Sequence, residues 1–349
     1  MSDTKLKTKE TKVKDLNARR WSRRGFLQAT AGTVFSGAVA GTPIARAVAF
    51  PDKPVRIILP FAVGGSADAV ARLLANKLSE RFKQPFVVEA KLGANGTIAA
   101  DYVAKSAPDG YTLLLNSSAQ AINPTLYTKL PFDPLRSFAP VAQVVQPGPF
   151  VIVVNAQLPI RDLREFVAYA KAKPGSISYG SAGIGNSLHL GGEMLAQAAG
   201  IELLHVPYKG AAAIVNDLVG GQIQLMFNSW LAVQSFVESG KLRAIAQTGL
   251  QRSAAMPNIP TVAESGFPGF EFTSWFGLWA PAGTPAAIVD TLNAETRWAM
   301  GQPDVLERLA PMGTGAPQPL SPAEFGRFTN AEVERYARVI RKARITLDS

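Results

Sequence analysis

Short apolar runs alternate with stretches of helical spacing along most of the chain. Residues 55–59 form the first such run, and behind it apolar side chains recur four apart at Val70, Leu74, Leu78 and Phe82. The run predicts a buried strand, and the spacing behind it predicts one face of a helix. The pattern then predicts strands at 86–88 and 111–115 and a helix at 98–105. This alternation predicts an α/β fold with a mostly parallel sheet.

Another apolar run lies at 150–154, and behind it the alternation starts again as a second unit of the same kind. Its pattern predicts helices at 163–172, 188–199 and 214–219, and strands at 178–179, 203–206, 225–227 and 242–248. A helix ending near Met300 and an amphipathic helix from Pro322 complete the chain. The sequence therefore predicts two α/β units, with the chain crossing between them near Val154 and near Trp275.

The first 49 residues have the pattern of an export signal. They hold ten basic side chains against three acidic ones, and a charge-free run rich in Gly and Ala follows at 25–45. A basic start, a mildly apolar middle and small residues at the end are typical of a secretory leader, and we expect cleavage after Ala49. The run SRRGFLQ at 22–28 resembles the twin-arginine export motif. A retained membrane anchor is the alternative, which four glycines and one proline in 25–45 disfavour.

Most of the net positive charge of the chain lies in the leader. The 349 residues carry 36 Lys and Arg against 26 Asp and Glu, a formal net charge of +10, which suggests nucleic acid or a membrane surface as partner. The leader holds +7 of it, so residues 50–349 carry only +3, and no interleaving of aromatic and basic residues favours nucleic acid. The chain has no cysteine and only two histidines, which excludes disulfides and thiolate sites. We expect neither a metal nor a cofactor.

A loop with two glycines joins the first predicted strand to the first predicted helix. Gly64 and Gly65 let the backbone approach a ligand closely, and Ser66 is placed to cap the helix. The free N–H groups at such a helix end attract anions. An ordinary capped turn, with Asp68 complementing the helix dipole, explains the same residues equally well.

A second glycine-rich loop, residues 179–189, precedes a helix of the second unit. It departs from both enzyme motifs that it approaches. Tyr179 stands where a nucleophile elbow needs glycine, and Leu188 stands where a dinucleotide fingerprint needs it. We expect His189 to be a packed or capping residue rather than a catalytic base.

Uncharged polar residues follow two further predicted strands. Ser117 and Ser118 come after the strand at 111–115, and Asn228 comes after the strand at 225–227. Ligands of open α/β sheets bind at the carboxyl ends of strands. A polar turn explains Ser117 and Ser118 equally well, and Asn228 with Ser229 is a weaker case of the same kind. All of these loops share a near absence of charge. An anion bound there would be held by backbone N–H groups and hydroxyls.

Six short motifs are spread over residues 50–345. They are FPDKP at 50–54, PFAVGGSAD at 60–68, YGSAG at 179–183, NSLHL at 186–190, PYKG at 207–210 and APAGTP at 280–285. Together they resemble the tripartite tricarboxylate transporter substrate-binding proteins, also called Bug receptors. The motifs are specific as a set, and the resemblance covers essentially the whole chain behind the leader.

The resemblance implies a two-lobed periplasmic binding protein of type II, the Venus-flytrap form, with a mostly parallel sheet in each lobe. Lobe 1 would comprise residues 50–153 and 277–349, and lobe 2 residues 154–276, behind a signal peptide at 1–49. A carboxylated ligand would lie between the lobes, held by main-chain amides, hydroxyls and water. The implied binding residues are Phe61, Gly64, Gly65, Ser66, Asp68, Ser117 and Ser118 in lobe 1, and Ser181, Gly183, Gly185, Asn186, His189 and Asn228 in lobe 2.

The implied function is that of an exported, non-enzymatic receptor, expected to be a monomer. It would capture a small organic carboxylate in the periplasm and pass it to the membrane subunits of a tripartite tricarboxylate-type transporter. Two alternatives stay open. One is an exported serine hydrolase that uses Ser181 and His189, and the other is a sensory receptor whose closed form docks a signalling partner.

Overall fold

Strands and α-helices make up most of residues 50–208, 211–345 and 347, the part of the chain that the computed structural model describes. The strands are β1 (Val55–Leu59), β2 (Phe86–Ala90), β3 (Thr112–Ser117), β4 (Phe138–Pro149), β5 (Val151–Asn155), β6 (Ile177–Ser181), β7 (Leu203–Pro207), β8 (Leu225–Asn228), β9 (Leu242–Gln247) and β10 (Thr273–Pro281). The helices are α1 (Ser66–Phe82), α2 (Thr97–Ala104), α3 (Ala119–Leu126), α4 (Leu163–Ala172), α5 (Ser187–Ala199), α6 (Ala211–Val219), α7 (Trp230–Glu238), α8 (Ala286–Met300), α9 (Pro303–Leu309) and α10 (Pro322–Ala343). None of these described helices combines the length and the apolar character that crossing a bilayer requires. The predicted leader 1–49 with its cleavage site, and Lys209 and Gly210 of the PYKG motif, lie outside the described residues.

The strands form two sheets with the same plan. The first has the order β2-β1-β3-β10-β4, with β1 parallel to β2 and β3, and β10 antiparallel to both of its neighbours. The second has the order β7-β6-β8-β5-β9, with β6 parallel to β7 and β8, and β5 antiparallel to both of its neighbours. Four of the five strands in each sheet therefore point the same way, and their carboxyl ends share one edge. The predicted α/β class with two mostly parallel sheets is confirmed.

The chain passes between the two sheets twice. The first passage lies between Pro149, where β4 ends, and Val151, where β5 begins; β5 pairs only with strands of the second sheet. The second passage lies between Gln247, where β9 ends, and Thr273, where β10 begins. Strand membership thus changes a few residues before the limits expected from the sequence, and the division into lobes stays a prediction.

Strand β4 escapes the sequence pattern. Pro140, Pro147 and Pro149 argue against a strand, because proline cannot donate to a ladder. The structure places β4 at the edge of the first sheet, paired with β10 through a register that shifts several times, and an edge tolerates proline. The pattern also misses α3 and α7, since each has only eight or nine residues and starts directly behind a strand.

The last helix, α10, packs against elements of both sheets. It begins with a capping box in which Ser321 and Glu324 satisfy each other's backbone N–H groups. Its inner face contacts α3 and β4 on one side and α5 on the other. Trp275 is fully buried against it and donates its Nε1–H to Glu332 at 3.1 Å. This helix therefore connects the two sheets by packing against elements of both.

Candidate functional site

A cavity of about 600 Å³ lies where the carboxyl ends of strands from both sheets meet. Much of its wall comes from the segments behind β1, β2 and β3 of the first sheet and behind β6 and β8 of the second, and β4 and β10 contribute as well. Among the described residues of this wall, no side chain is charged. The polar ones are Ser66, Asn95, Ser117, Asn186, Ser187, Asn228, Ser229, Ser274 and Thr314. A concave site of this size with a few polar groups suits a small molecule.

Five helices begin at this cavity. The caps or first turns of α1, α2, α3, α5 and α7 contribute to its wall, because strands of each sheet lead directly into these helices at the carboxyl edge. The first N–H groups of a helix have no acceptor within the helix, and the helix dipole adds positive partial charge there. These helix ends therefore add positive partial charge to a wall whose described residues include no cationic side chain, and such charge favours an anion.

The loop behind β1 shapes one end of the cavity. Gly64 has φ +89°, a conformation that glycine adopts freely, and its N–H donates to Asp68 at 3.0 Å. The same carboxylate accepts from Arg72 Nε at 2.9 Å, and this bond holds the pKa of Asp68 below its usual value. Asp68 is buried and does not line the cavity, so it folds the loop from behind. Gly65 and Ser66, at the start of α1, line the cavity.

Part of the wall is apolar. Phe61 and Phe276 form it, with ring centroids 6.2 Å apart in an edge-to-face arrangement. Val145, Phe150 and Met312 extend the same surface. Neutral donors beside an apolar surface fit an organic anion with a hydrocarbon body better than a hydrated inorganic ion.

The loop behind β6 is held by the helix that follows it. Asn186 caps α5 by accepting from the His189 N–H at 3.0 Å, and His189 Nδ1 accepts from the Gly185 N–H at 2.8 Å. Gly183 and Gly185 have φ of +122° and +74°, which lets the loop turn sharply into the helix. Asn186 lines the cavity, whereas the other three residues do not and instead set the shape of the loop.

The two histidines stack on each other beneath this loop. The ring centroids of His189 and His205 lie 3.7 Å apart, with 8° between the ring planes. Burial lowers the pKa of His189 to about 3, with a further contribution from His205. Burial also lowers the pKa of His205 to about 4. Both rings are therefore neutral at neutral pH, and the bond from Gly185 to Nδ1 places the proton of His189 on Nε2.

Ser181 belongs to the same buried network. Its Oγ lies 2.6 Å from His205 Nε2 and donates to the Gly183 carbonyl oxygen at 2.9 Å. The hydrolase hypothesis pairs Ser181 with His189, but His189 accepts from Gly185 instead. Ser181 is fully buried and does not line the cavity, and a histidine with a pKa of about 3 is a poor general base at neutral pH. The geometry therefore favours a structural role for this serine.

The serines behind β3 divide their roles. Ser117 lines the cavity, and its Oγ accepts from the Ala119 N–H at 3.2 Å. Ser118 is fully buried, and its Oγ lies 3.3 Å from the Oγ of Ser187, which joins α3 to α5 beside the cavity. The predicted residues that line the cavity are Phe61, Gly65, Ser66, Ser117, Asn186 and Asn228. The predicted residues that support the wall are Gly64, Asp68, Ser118, Ser181, Gly183, Gly185 and His189, and contact of any of them with a ligand stays a prediction.

Sequence reasoning missed the loop behind β2. Asn95 lines the cavity there with φ +50°, and its Nδ2 donates to Asn123 Oδ1 at 2.8 Å. The run GANG at 93–96 was the available signal, since it follows a predicted strand and precedes a predicted helix, as the Gly64–Gly65 pair does. Ser187, Ser274 and Thr314 were missed as well. Ser274 and Thr314 carry no local signal, because only the packing of distant segments brings them to the cavity.

Comparison with known proteins assigns the chain to a family. Residues 70–345 match the family model TctC, described as the tripartite tricarboxylate transporter family receptor. The chain belongs to this family. The resemblance inferred from the six motifs is thereby confirmed, and the protein is a periplasmic solute-binding receptor of the TctC type.

Solved structures of TctC-type and Bug proteins share the fold along their whole length. Rpa4515 of R. palustris, solved with adipate, is 34% identical with a TM-score of 0.79, and the match covers 85% of this chain and 100% of that one. The periplasmic binding protein BugD is 36% identical with a TM-score of 0.76, over 85% of this chain and 99% of its own. MatC of Rhodopseudomonas palustris, with bound malate, is 33% identical with a TM-score of 0.75, over 83% of this chain and 100% of its own.

Gly185→Ala is expected to lower the free energy of unfolding of this receptor by about 2–3 kcal/mol. Alanine is strained at φ +74°, and its Cβ would overlap the buried side chain of Leu126. Gly175→Ala is the matched control, since its φ of +69° lies in the same left-handed region but its Cβ would meet open space. Urea unfolding of both variants measures the difference, and equal losses would show that the contact with Leu126 does not matter.

Proposed function

We propose that this receptor binds a small organic carboxylate in the cavity and delivers it to the membrane subunits of a tripartite tricarboxylate-type transporter. One observation carries the proposal. Five helices begin at the cavity, and none of the described residues that line it has a charged side chain. A carboxylate accepts hydrogen bonds from their free N–H groups, and each charge-assisted bond contributes about 1.5–3 kcal/mol. A few such bonds suffice for roughly micromolar affinity.

Two relatives support this ligand class. Rpa4515 was solved with adipate and MatC with malate, and both share the fold and about a third of the sequence with this chain. Both ligands are dicarboxylates with a short hydrocarbon body. The apolar surface of Phe61 and Phe276 beside the helix N-termini provides for such a body in this receptor.

A thermal-shift screen tests the proposal directly. Mono-, di- and tricarboxylates and acidic amino acids are added to the receptor, each with its uncharged amide as a control. A carboxylate present at a hundredfold its Kd should stabilise the fold by about 2.7 kcal/mol and raise Tm by a few degrees. Its amide should leave Tm unchanged, because it lacks the charge that the helix ends favour. No shift with any carboxylate would contradict the proposal.

Export and delivery complete the proposal. The ten basic residues of the leader and its SRRGFLQ run support twin-arginine export with cleavage after Ala49. We take the mature receptor to act as a monomer without enzymatic activity. The burial of Ser181 away from the cavity supports the last point. Uptake of the identified carboxylate should fall in cells that lack the gene, and normal uptake would favour a sensory receptor instead.

A further inference from the structure

The two sheets repeat one motif at the cavity. β3 ends in Asn116-Ser117, and β8 ends in Asn228 followed by Ser229. The two strands hold the same place, third in the order of their sheets and next to the antiparallel strand. In both motifs the asparagine Oδ1 accepts from the N–H of the following serine at 2.9 Å. The two side-chain amides are therefore anchored in the same way, each with its Nδ2 left to find another partner.

In the first sheet this donor is used within the protein. Asn116 Nδ2 donates to Gln120 Oε1 at 3.1 Å, and Gln120 Nε2 donates in turn to the Pro134 carbonyl oxygen at 3.0 Å. Asn116 is fully buried and does not line the cavity. The residue four positions behind Asn228 is Ala232, whose side chain has no acceptor to offer. The two motifs therefore differ in whether the asparagine Nδ2 has an acceptor within the protein.

Asn228 leaves that donor without a partner. The residue is 7% exposed and lines the cavity, and its Nδ2 is buried without a hydrogen-bond partner among the described residues. A buried N–H without an acceptor destabilises the folded protein, because it has lost its hydrogen bonds to water. An acceptor atom on a ligand would remove this cost, whereas a second donor placed against Nδ2 would not.

We infer that Asn228 makes the receptor selective for carboxylates that present a second oxygen acceptor and no ammonium group at this point. An ammonium group has donors only, and so does the amide NH₂ that it would meet. The described wall offers no acidic side chain to receive an ammonium group elsewhere. The inference rests on the proposed function, in which the helix N-termini hold one carboxylate, and adds the second contact that decides among carboxylates.

Asn228→Asp is the sharpest test, because it keeps the shape and the acceptor for the Ser229 N–H while replacing the free donor with a charged acceptor. The probes are succinate, malate and adipate, each compared by calorimetry with the ammonium-bearing aspartate or 2-aminoadipate. We expect the wild type to bind an ammonium-free acid at least tenfold more tightly than its amino counterpart. The variant should bind that acid at least tenfold more weakly and should reverse the preference.

Two further variants keep the test decisive. Asn228→Ala removes the donor without adding charge, so it should weaken the ammonium-free acid without gaining affinity for the amino acid. Asn116→Asp places the same change in the matching motif behind the wall, and it should leave the preference of the wild type in place. If the wild type binds both kinds of acid equally, or Asn228→Asp changes neither, the inference fails and the proposed function stands. If no form binds any of these acids, the inference fails, and the thermal-shift screen with the remaining carboxylates decides the proposed function.

Discussion

Gly65→Asp is expected to abolish carboxylate binding while leaving the unliganded fold intact. Gly65 is the N-cap of α1 with φ −85° and ψ 174°, a conformation open to any residue, and no side chain caps this helix. A Cβ there would have the Ala62 carbonyl oxygen as its nearest neighbour, at 3.8 Å, so the substitution fits. Aspartate is a favoured N-cap, and its carboxylate would accept from the N–H groups that we assign to the ligand. It would also bring a negative charge to a cavity wall that has none among its described residues.

The expected loss of affinity is at least a hundredfold, which corresponds to about 2.7 kcal/mol. Calorimetry with the carboxylate found by thermal shift measures it. The Tm of the unliganded variant should equal or slightly exceed that of the wild type, because aspartate in place of glycine at an N-cap stabilises a helix by only a few tenths of a kcal/mol. Gly65→Ala is the control, since it adds the Cβ without the carboxylate and should cost far less affinity. If Gly65→Asp binds the carboxylate with unchanged affinity, the ligand does not bind at the N-terminus of α1.

The free energy of unfolding is expected to fall by about 3 kcal/mol between pH 7 and pH 5. His189 and His205 are the only histidines of the chain, and burial lowers their pKa to about 3 and about 4. In the unfolded chain both titrate near the ordinary value of about 6.5. The unfolded state therefore binds protons below pH 6.5 that the folded state does not, so stability is lost as pH falls. His189 accounts for about 2 kcal/mol at pH 5, and the partly exposed His205 for less.

Urea unfolding at a series of pH values measures this slope. Carboxylates whose pKa is lowered in the fold, such as Asp68, lose their contribution only as pH falls towards about 4, below this window. The double variant His189→Asn and His205→Gln should have a nearly flat profile from pH 7 to pH 5, because it lacks both titrating rings. The asparagine can still accept from Gly185, and the glutamine can still bond Ser181. A double variant as steep as the wild type would assign the slope to other groups.

Much of the element order followed from local pattern. The four-residue spacing from Val70 to Phe82 predicted α1, and the apolar run 55–59 predicted β1, because the period of buried positions differs between helix and strand. β4 and the pairing of β5 with the second sheet did not follow. Strand pairing depends on segments that are far apart in the chain. At the edge of a sheet a strand tolerates prolines, although by local sequence rules those prolines argue against a strand.

The candidate site shows the same division. Its glycine-containing loops could be predicted, because left-handed backbone and close approach need glycine wherever they occur, as at Gly64 and Gly185. Which polar residues face the cavity could not. Asp68 stands beside Ser66 in the same motif but turns away to pair with Arg72, and His189 points back to accept from its own loop.

By itself, the sequence determined the α/β class, the family and the neutral, donor-rich character of the loops, since these depend on residue types and on spacing along the chain. Only the tertiary structure decided that five helix ends meet at one cavity, and that Asn228 keeps a free amide where Asn116 has Gln120. Two matching Asn-Ser motifs look alike in sequence. They differ because a hydrogen bond requires a partner within reach in space. The fold places such a partner beside the Nδ2 of Asn116 and none of the described residues beside that of Asn228.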